Sequence, residues 1–409
     1  MDERLAGMPR IWGRVPTATT RLRQRTRAFW ILAALLAAGA VGFLVAMTRI
    51  ALGVDQPGAV LVSVLSWAIW TLVLFWLVCL VDVYRHVPFS IRAALALWGA
   101  GVATVASMVL EGLVAPTVGP VLDALSTGVI EEGTKLLGVV LVAAVVPVLF
   151  RRPMGGLICG MMVGLGFCFL ENIEYAIAAT ASGAGADQPY ATVASAVLIR
   201  GLVLGAALHV VLTGLTGLGV GYFVAHRGAS SRRRWTGALV CVLGAMLFHF
   251  LWDWFAGIQG VFAGLVMNAL NLLHFVLVAL MIGYAVRAER RWLTNAAAGT
   301  EPVIESDEGR SLRKRRTRRQ ARRRAGRQAR GSVPDASTMQ LMKTRQWAQI
   351  GYIDALADSA PTVETDRLAG YVRRLRQPRS SGDHARSVDL PSPREPAASD
   401  QQQPTEPQN

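Results

Sequence analysis

The fold is decided by the stretch LICGMMVGLGFCFLENIEYAIAATA, residues 157–181. Its 25 residues include two charged side chains, Glu171 and Glu174. Since about 20 apolar residues cross the hydrocarbon core of a bilayer as one helix, this length predicts a transmembrane helix. A carboxylate inside such a helix is costly, so Glu171 also predicts a functional site within the membrane.

Seven further apolar stretches resemble this one. Of the 409 residues, 53% are hydrophobic and 17% are charged, which is too apolar for a typical soluble protein. The sequence therefore predicts an all-α fold, a polytopic membrane bundle of about eight transmembrane helices. The predicted spans are Ala28 to Thr48, Ala59 to Val81, Ile91 to Leu110, Leu122 to Phe150, Leu157 to Ala181, Thr192 to Ala225, Trp235 to Gly257 and Val261 to Val286.

Basic residues alternate between the predicted connections. They concentrate in the N-terminal arm, in every second loop and in the tail. Because basic loops stay on the cytoplasmic side, eight spans with this alternation place both termini in the cytoplasm. The predicted parts are a basic cytoplasmic arm (1–27), a transmembrane domain (28–286) and an arginine-rich, largely disordered cytoplasmic tail (287–409). Arginine-rich usage with three lysines favours a bacterial source, and hence the cytoplasmic membrane of a bacterium.

The tail differs sharply from the rest of the chain. Between Arg310 and Arg330, 12 of 21 residues are Arg or Lys, so this segment is expected to be disordered or to form a surface helix. Anionic lipid headgroups are its expected partner, and nucleic acid is the weaker alternative. A modest helical pattern lies between Ser337 and Leu375, and the Pro/Ser/Gln-rich end after it is expected to be unstructured.

Ionisable residues in four of the spans form one candidate site. Counted at about 1.5 Å per residue, Glu131, Glu171 and His249 lie at a common depth of roughly 14 to 15 Å from the predicted outer ends. His209 would lie deeper if its helix began at Thr192, and level with them if the helix began near residue 198. The predicted catalytic set is Glu131, Glu132, Glu171, His209 and His249, and the predicted supporting set is Lys135, Asn172, Arg200 and Asp253.

Helical spacing orders these side chains. Glu131 and Lys135 are four residues apart and share a helix face, as do His249 and Asp253. Adjacent residues differ by about 100°, so Glu131 and Glu132 are expected to point in different directions. Small residues at every fourth position predict close helix approach, once at Gly156, Gly160 and Gly164 and again at Gly201 and Gly205.

The chemistry that this set favours is hydrolysis. A glutamate in an apolar setting can serve as a base toward water, and imidazoles can stabilise an oxyanion or bind a metal. Glu171, His209 and His249 are the candidate metal ligands, with zinc the metal expected of such a set. The chain contains no HExxH motif, so a metal-free water activated by Glu131 or Glu132 fits the residues equally well.

Four motifs together resemble the PrsW family of intramembrane proteases. They are VIEEGTK (129–135), GLGFCFLENIEYA (164–176), the pair Arg200 and His209, and HFLWD (249–253). The family is similar to the CAAX-prenyl endopeptidases and bacteriocin-processing membrane proteins, and the resemblance implies a peptidase that cleaves membrane-anchored regulators such as anti-sigma factors. The chain departs from the family at Gly155, Gly156 and Cys159, where members often carry an Asp-Gly pair and a Tyr.

Two other functions remain compatible with these residues. A proton-coupled transporter would use intramembrane Glu and His residues as a relay, although the chain shows no internal symmetry. A non-enzymatic membrane scaffold would use the polar residues to hold helices together and the tail to bind lipid or a partner. The substrate, the bond cleaved and the oligomeric state do not follow from the sequence.

Overall fold

The computed structural model describes the helices of the membrane region and most of the tail, and every regular element that it describes is a helix. The described residues are 27–53, 56–84, 87–181, 187–203, 205, 207–297, 303–304, 306–312, 315–330, 336–357 and 362–376. The predicted N-terminal arm up to residue 26 and the predicted unstructured end lie outside these residues. The all-α prediction is confirmed.

Within the described residues, nine α-helices follow one another through the membrane region. Seven of the described helical segments are long and apolar enough to cross a bilayer, which confirms a multi-pass membrane protein. The nine helices are α1 (Arg27–Leu52), α2 (Pro57–Val81), α3 (Phe89–Thr117), α4 (Pro120–Val145), α5 (Pro153–Thr180), α6 (Pro189–Leu198), α7 (Leu208–Ala225), α8 (Ser231–Ala256) and α9 (Val261–Ala297).

The helix α4 corresponds to the fourth predicted span. It has 26 residues, enough to cross a bilayer, but it falls outside the seven apolar segments because it carries Glu131, Glu132 and Lys135 close together. An orientation with both termini in the cytoplasm stays a prediction. Helix starts follow a simple rule: α2, α4, α5 and α6 each begin with proline, whose fixed φ and missing N–H suit the first helical turn.

The central helix α5 is almost completely buried, and it packs most extensively against α7. A Cβ added at Gly156, Gly160 or Gly164 would meet a backbone carbonyl oxygen of α7, those of Gly217, Thr213 and His209 respectively. The predicted glycine row is confirmed, because no side chain larger than hydrogen fits between these two backbones.

The sixth predicted span, Thr192 to Ala225, is wrong as one continuous helix. The structure ends α6 at Leu198, continues in a π-helical turn over Ile199–Val203, and starts α7 at Leu208. Gly205 lies between them with φ of 70°, a conformation that glycine adopts without strain. Gly201 and Gly205 therefore do not form a second packing row on one helix, and the prediction of that row is wrong as well.

The tail contains four helices in the part that the structure describes, although it was expected to be largely disordered. They are α10 (Ser306–Leu312), α11 (Arg315–Arg330), α12 (Ala336–Ala357) and α13 (Thr362–Arg376). The last two cover the helical pattern that the sequence indicates between Ser337 and Leu375. Buried apolar side chains from α10, α12 and α13 form a separate cluster with Tyr84 and Leu293 of the membrane region.

Candidate active site

Lys135 of α4 lies at the centre of the polar cluster and is completely buried. Its Nζ donates to Glu131 Oε2 and to Glu132 Oε1, both at 2.9 Å. The prediction that the two carboxylates point apart is therefore wrong. Since a lysine side chain is long enough to reach between residues three and four positions earlier, both glutamates can converge on it despite their angular separation.

His209 lies in the first turn of α7, and its ring contacts residues of both α4 and α5. Its Nδ1 is 2.8 Å from Lys135 Nζ and 3.6 Å from Glu131 Oε2. On the opposite edge of the ring, Nε2 is 2.7 Å from Glu171 Oε2. The break before Leu208 brings this histidine to the level of the other groups, so its depth could not be counted from Thr192.

His249 lies about two turns before the end of α8 and faces the same two glutamates. Its Nε2 is 3.5 Å from Glu131 Oε2, and its Nδ1 is 3.4 Å from Glu132 Oε1. Asp253, one turn further along α8, places Oδ2 3.4 Å from the same Nε2. The rings of His209 and His249 are 5.1 Å apart between centroids, so the two imidazoles flank one small space next to Glu131.

One side of the cluster is more open than the rest. The side chain of Glu171 is 12% exposed and that of Asp253 is 29% exposed, whereas that of Glu132 is fully buried. Arg200, 34% exposed, lies 3.6 Å from Glu171 Oε2 and donates to Asn172 Oδ1 at 2.8 Å. This side of the cluster therefore lies nearest to the surface of the described residues.

The supporting set is brought into contact, with one difference from the sequence interpretation. Lys135, Arg200 and Asp253 each touch a predicted catalytic residue, whereas Asn172 contacts Arg200. Sequence reasoning missed Thr213, whose Oγ1 donates to Glu132 Oε2 at 3.4 Å. Its position four residues after His209, on the same helix face, was the signal that could have found it.

Formal charges show what this cluster can bind. It holds four carboxylates, those of Glu131, Glu132, Glu171 and Asp253, and two fixed cations, Lys135 and Arg200. With neutral imidazoles, two negative charges are left without compensation. Because unpaired charge is costly in a buried setting, the cluster suits a divalent cation.

The group that could hold this cation is Glu131, His209 and His249, whose ligand atoms all lie within 4.8 Å of one another. Two imidazoles and one carboxylate are a donor set of catalytic zinc sites, which leave one position for water. Glu171 was predicted as a metal ligand and is not part of this group. It contacts the outer edge of His209, on the side away from Lys135.

Comparison with known proteins identifies the region that carries this cluster. A model of the PrsW family intramembrane metalloproteases matches residues 87–284. Over these residues the chain belongs to the PrsW family. The family is one of peptidases, so the chain is an intramembrane peptidase, and the predicted resemblance is confirmed. No curated protein and no solved structure matches the chain.

The matched region begins just before α3 and ends within α9, so it contains every residue of the cluster. The helices α1 and α2 and the tail helices lie outside it. The word metalloprotease in the family description agrees with the donor set of Glu131, His209 and His249.

Proposed function

We propose that this PrsW-family peptidase cleaves a membrane-anchored regulatory protein, with anti-sigma factors as the candidate substrates, by means of a water activated by Glu131. The observation that carries this proposal is the convergence of Glu131 with two imidazoles on a centre that opens toward Glu171 and Asp253. The predicted location of the chain, the cytoplasmic membrane of a bacterium, agrees with such a substrate.

Glu131, His209 and His249 would hold a divalent metal, with zinc as the proposed ion, and a bound zinc would supply Lewis acidity toward the water and the scissile carbonyl. A carboxylate has two oxygens, so Glu131 can contact a metal through one and accept the water's proton at the other. In the metal-free alternative, in which neither ring binds a metal, the two imidazole rings flank the space where the oxyanion would form and their N–H groups can donate to it.

Glu132 has a different role from Glu131 in this proposal. It is fully buried, and its oxygens face Lys135, Thr213 and His249 Nδ1. From this position it orients the His249 ring and balances the charge of Lys135, as partners behind metal-binding histidines do. Glu171 does the same for His209, whose Nε2 lies 2.7 Å from Glu171 Oε2.

The assignment of Glu131 is tested by the Glu131→Gln variant with a single-span reporter substrate in reconstituted membranes. Loss of a general base lowers the rate by about 10²- to 10⁴-fold, so cleavage should nearly disappear. The matched control is Asp123→Asn, which changes a carboxylate two turns earlier on the same helix. Cleavage by Glu131→Gln at the rate of this control would refute the assignment.

The metal is tested on purified protein by elemental analysis. We expect about one zinc per chain, and much less in His209→Ala and His249→Ala. The control is His226→Ala, because His226 lies at the end of α7 and its Nδ1 contacts Tyr222 O instead of the cluster. Full activity of metal-free protein would instead favour the metal-free mechanism.

The substrate is sought by comparing membrane proteomes of cells that carry the wild-type protein or Glu131→Gln. An uncut membrane-anchored protein should accumulate with the variant. Accumulation of soluble proteins alone would argue against a membrane-anchored substrate.

A further inference from the structure

The tail helices α10 to α13 form a folded module beside the membrane domain. Ile353 and Val372 are fully buried where α12 and α13 pack together, and Leu312 of α10 is fully buried with them. Glu308 of α10 pairs with Arg345 and accepts from Gln349 Nε2 at 3.0 Å. A segment that folds around its own apolar interior holds its surface side chains on defined sides. The positions of its charged residues therefore indicate which side of the module binds a charged partner.

Arg318 of α11 fastens this module to the end of a membrane-crossing helix. Its guanidinium donates to Leu312 O at 2.6 Å and to Val83 O at 3.5 Å, and it lies 4.9 Å from the ring centroid of Tyr84. Val83 and Tyr84 lie two and three residues after Val81, the last residue of α2. The helix α11 therefore lies within the length of one arginine side chain of a transmembrane helix end.

The two sides of α11 have different roles. Arg318 and Arg322, four residues apart, point into the module, where Arg322 Nη1 donates to Gln346 Oε1 at 3.2 Å. Arg316, Arg319 and Arg323 recur at three- and four-residue spacing, which puts them together on another side, and they are exposed. Arg324 is exposed next to them.

No acidic residue balances this charge within α11, in which nine of 16 residues are arginine. A guanidinium binds phosphate through two parallel hydrogen bonds. We infer that Arg316, Arg319, Arg323 and Arg324 bind the phosphate groups of anionic phospholipids in the leaflet at the end of α2. Nucleic acid offers the same phosphate chemistry, but the attachment at Val83 and Tyr84 keeps α11 at the membrane surface.

This inference does not depend on peptidase activity. The test uses full-length protein in nanodiscs of phosphatidylcholine, with and without phosphatidylglycerol, and measures amide hydrogen exchange over residues 316–324. We expect about tenfold slower exchange in the anionic nanodiscs, lost at high salt.

Two double variants, each of which removes two positive charges, test whether the lipid contact is specific to α11. R319Q/R323Q should lose the lipid-dependent protection, whereas R232Q/R233Q, which alters exposed arginines at the start of α8, should keep it. Unchanged exchange at Ile350 and Ile353 would show that the module stays folded in both.

Three outcomes would overturn the inference. They are equal exchange in both kinds of nanodisc, loss of protection in R232Q/R233Q as well, and protection by an RNA oligonucleotide where phosphatidylglycerol gives none. The last outcome would identify nucleic acid as the partner of this surface.

Discussion

His209 and His249 reach the same buried cluster by different routes. His209 enters in the first turn of α7, after a π-helical turn and a glycine of positive φ have interrupted the helical path. His249 lies within the unbroken helix α8, about two turns before its end, with Asp253 one turn away. One histidine is placed by an irregular backbone, and the other by a regular helix with side-chain partners.

This difference predicts which kind of substitution disturbs the position of each histidine. The position of His209 depends on glycines, because larger residues would displace the backbone that carries it. The orientation of His249 depends on carboxylates, whose loss leaves the backbone in place. Backbone changes should therefore reduce both stability and activity, whereas carboxylate changes should reduce activity alone.

The largest effect is expected from Gly164→Ala. The added Cβ would lie under 3 Å from the carbonyl group of His209 and from Val210 Cα, which are backbone atoms that cannot rotate away. Overpacking of this kind costs about 1–3 kcal/mol, so we expect a lower thermal midpoint in detergent together with loss of cleavage.

Gly133→Ala is the matched control for this variant. Gly133 lies in the helix α4, and nothing stands within 4 Å of an added Cβ. Alanine favours a helix over glycine by about 0.5–1 kcal/mol, so stability should hold or rise. If Gly164→Ala behaved like this control, the tight packing of α5 on α7 would not be what positions His209.

A smaller effect is expected from Gly205→Ala. Alanine at φ of 70° is strained by about 1–2 kcal/mol, and its Cβ would lie 2.5 Å from Trp252 Cζ2. The double variant Gly205→Ala/Trp252→Leu removes the clash and keeps the strain. We expect it to recover part of the cleavage rate, and no recovery would mean that backbone strain alone causes the loss.

The smallest effect is expected from Asp253→Asn. Its carboxylate lies 3.4 Å from His249 Nε2, and loss of such a partner typically lowers activity or metal affinity by about 10- to 100-fold. The thermal midpoint should stay unchanged, since the amide has the same shape. Asp187→Asn, at an exposed acid just before α6, serves as the control. A large drop in thermal midpoint would contradict the contrast drawn between the two histidines.

The sequence predicts the regular half of this site better than the irregular half. Apolar length and charge predict α5 and α8, and the four-residue spacings predict the contacts of Lys135 with Glu131 and of Asp253 with His249. The break before His209 was missed because residues 192–225 form one apolar run, in which a π-helical turn has no compositional signal. The convergence of Glu131 and Glu132 depends on side-chain reach, which angular spacing on a helix does not describe.

The fold of the tail was also incompletely predicted from the sequence, but for a different reason. The high arginine content of the tail indicates a solvated segment. A prediction from composition is dominated by these arginines and gives little weight to the few apolar residues that pack together. Those residues, among them Ile350, Ile353 and Val372, are spread over helices whose pairing no local pattern reveals. Their burial depends on contacts between α12 and α13, and the apolar spacing within either helix does not describe these contacts.

The near-complete burial of α5 has a consequence for how this chain can vary. Nearly every position of the helix faces another helix, so few substitutions in it leave the contacts unchanged. The helix α1 has few buried residues and mostly needs to stay apolar. In a library of random variants, we expect active members to differ freely along α1 and hardly at all between Gly156 and Glu171.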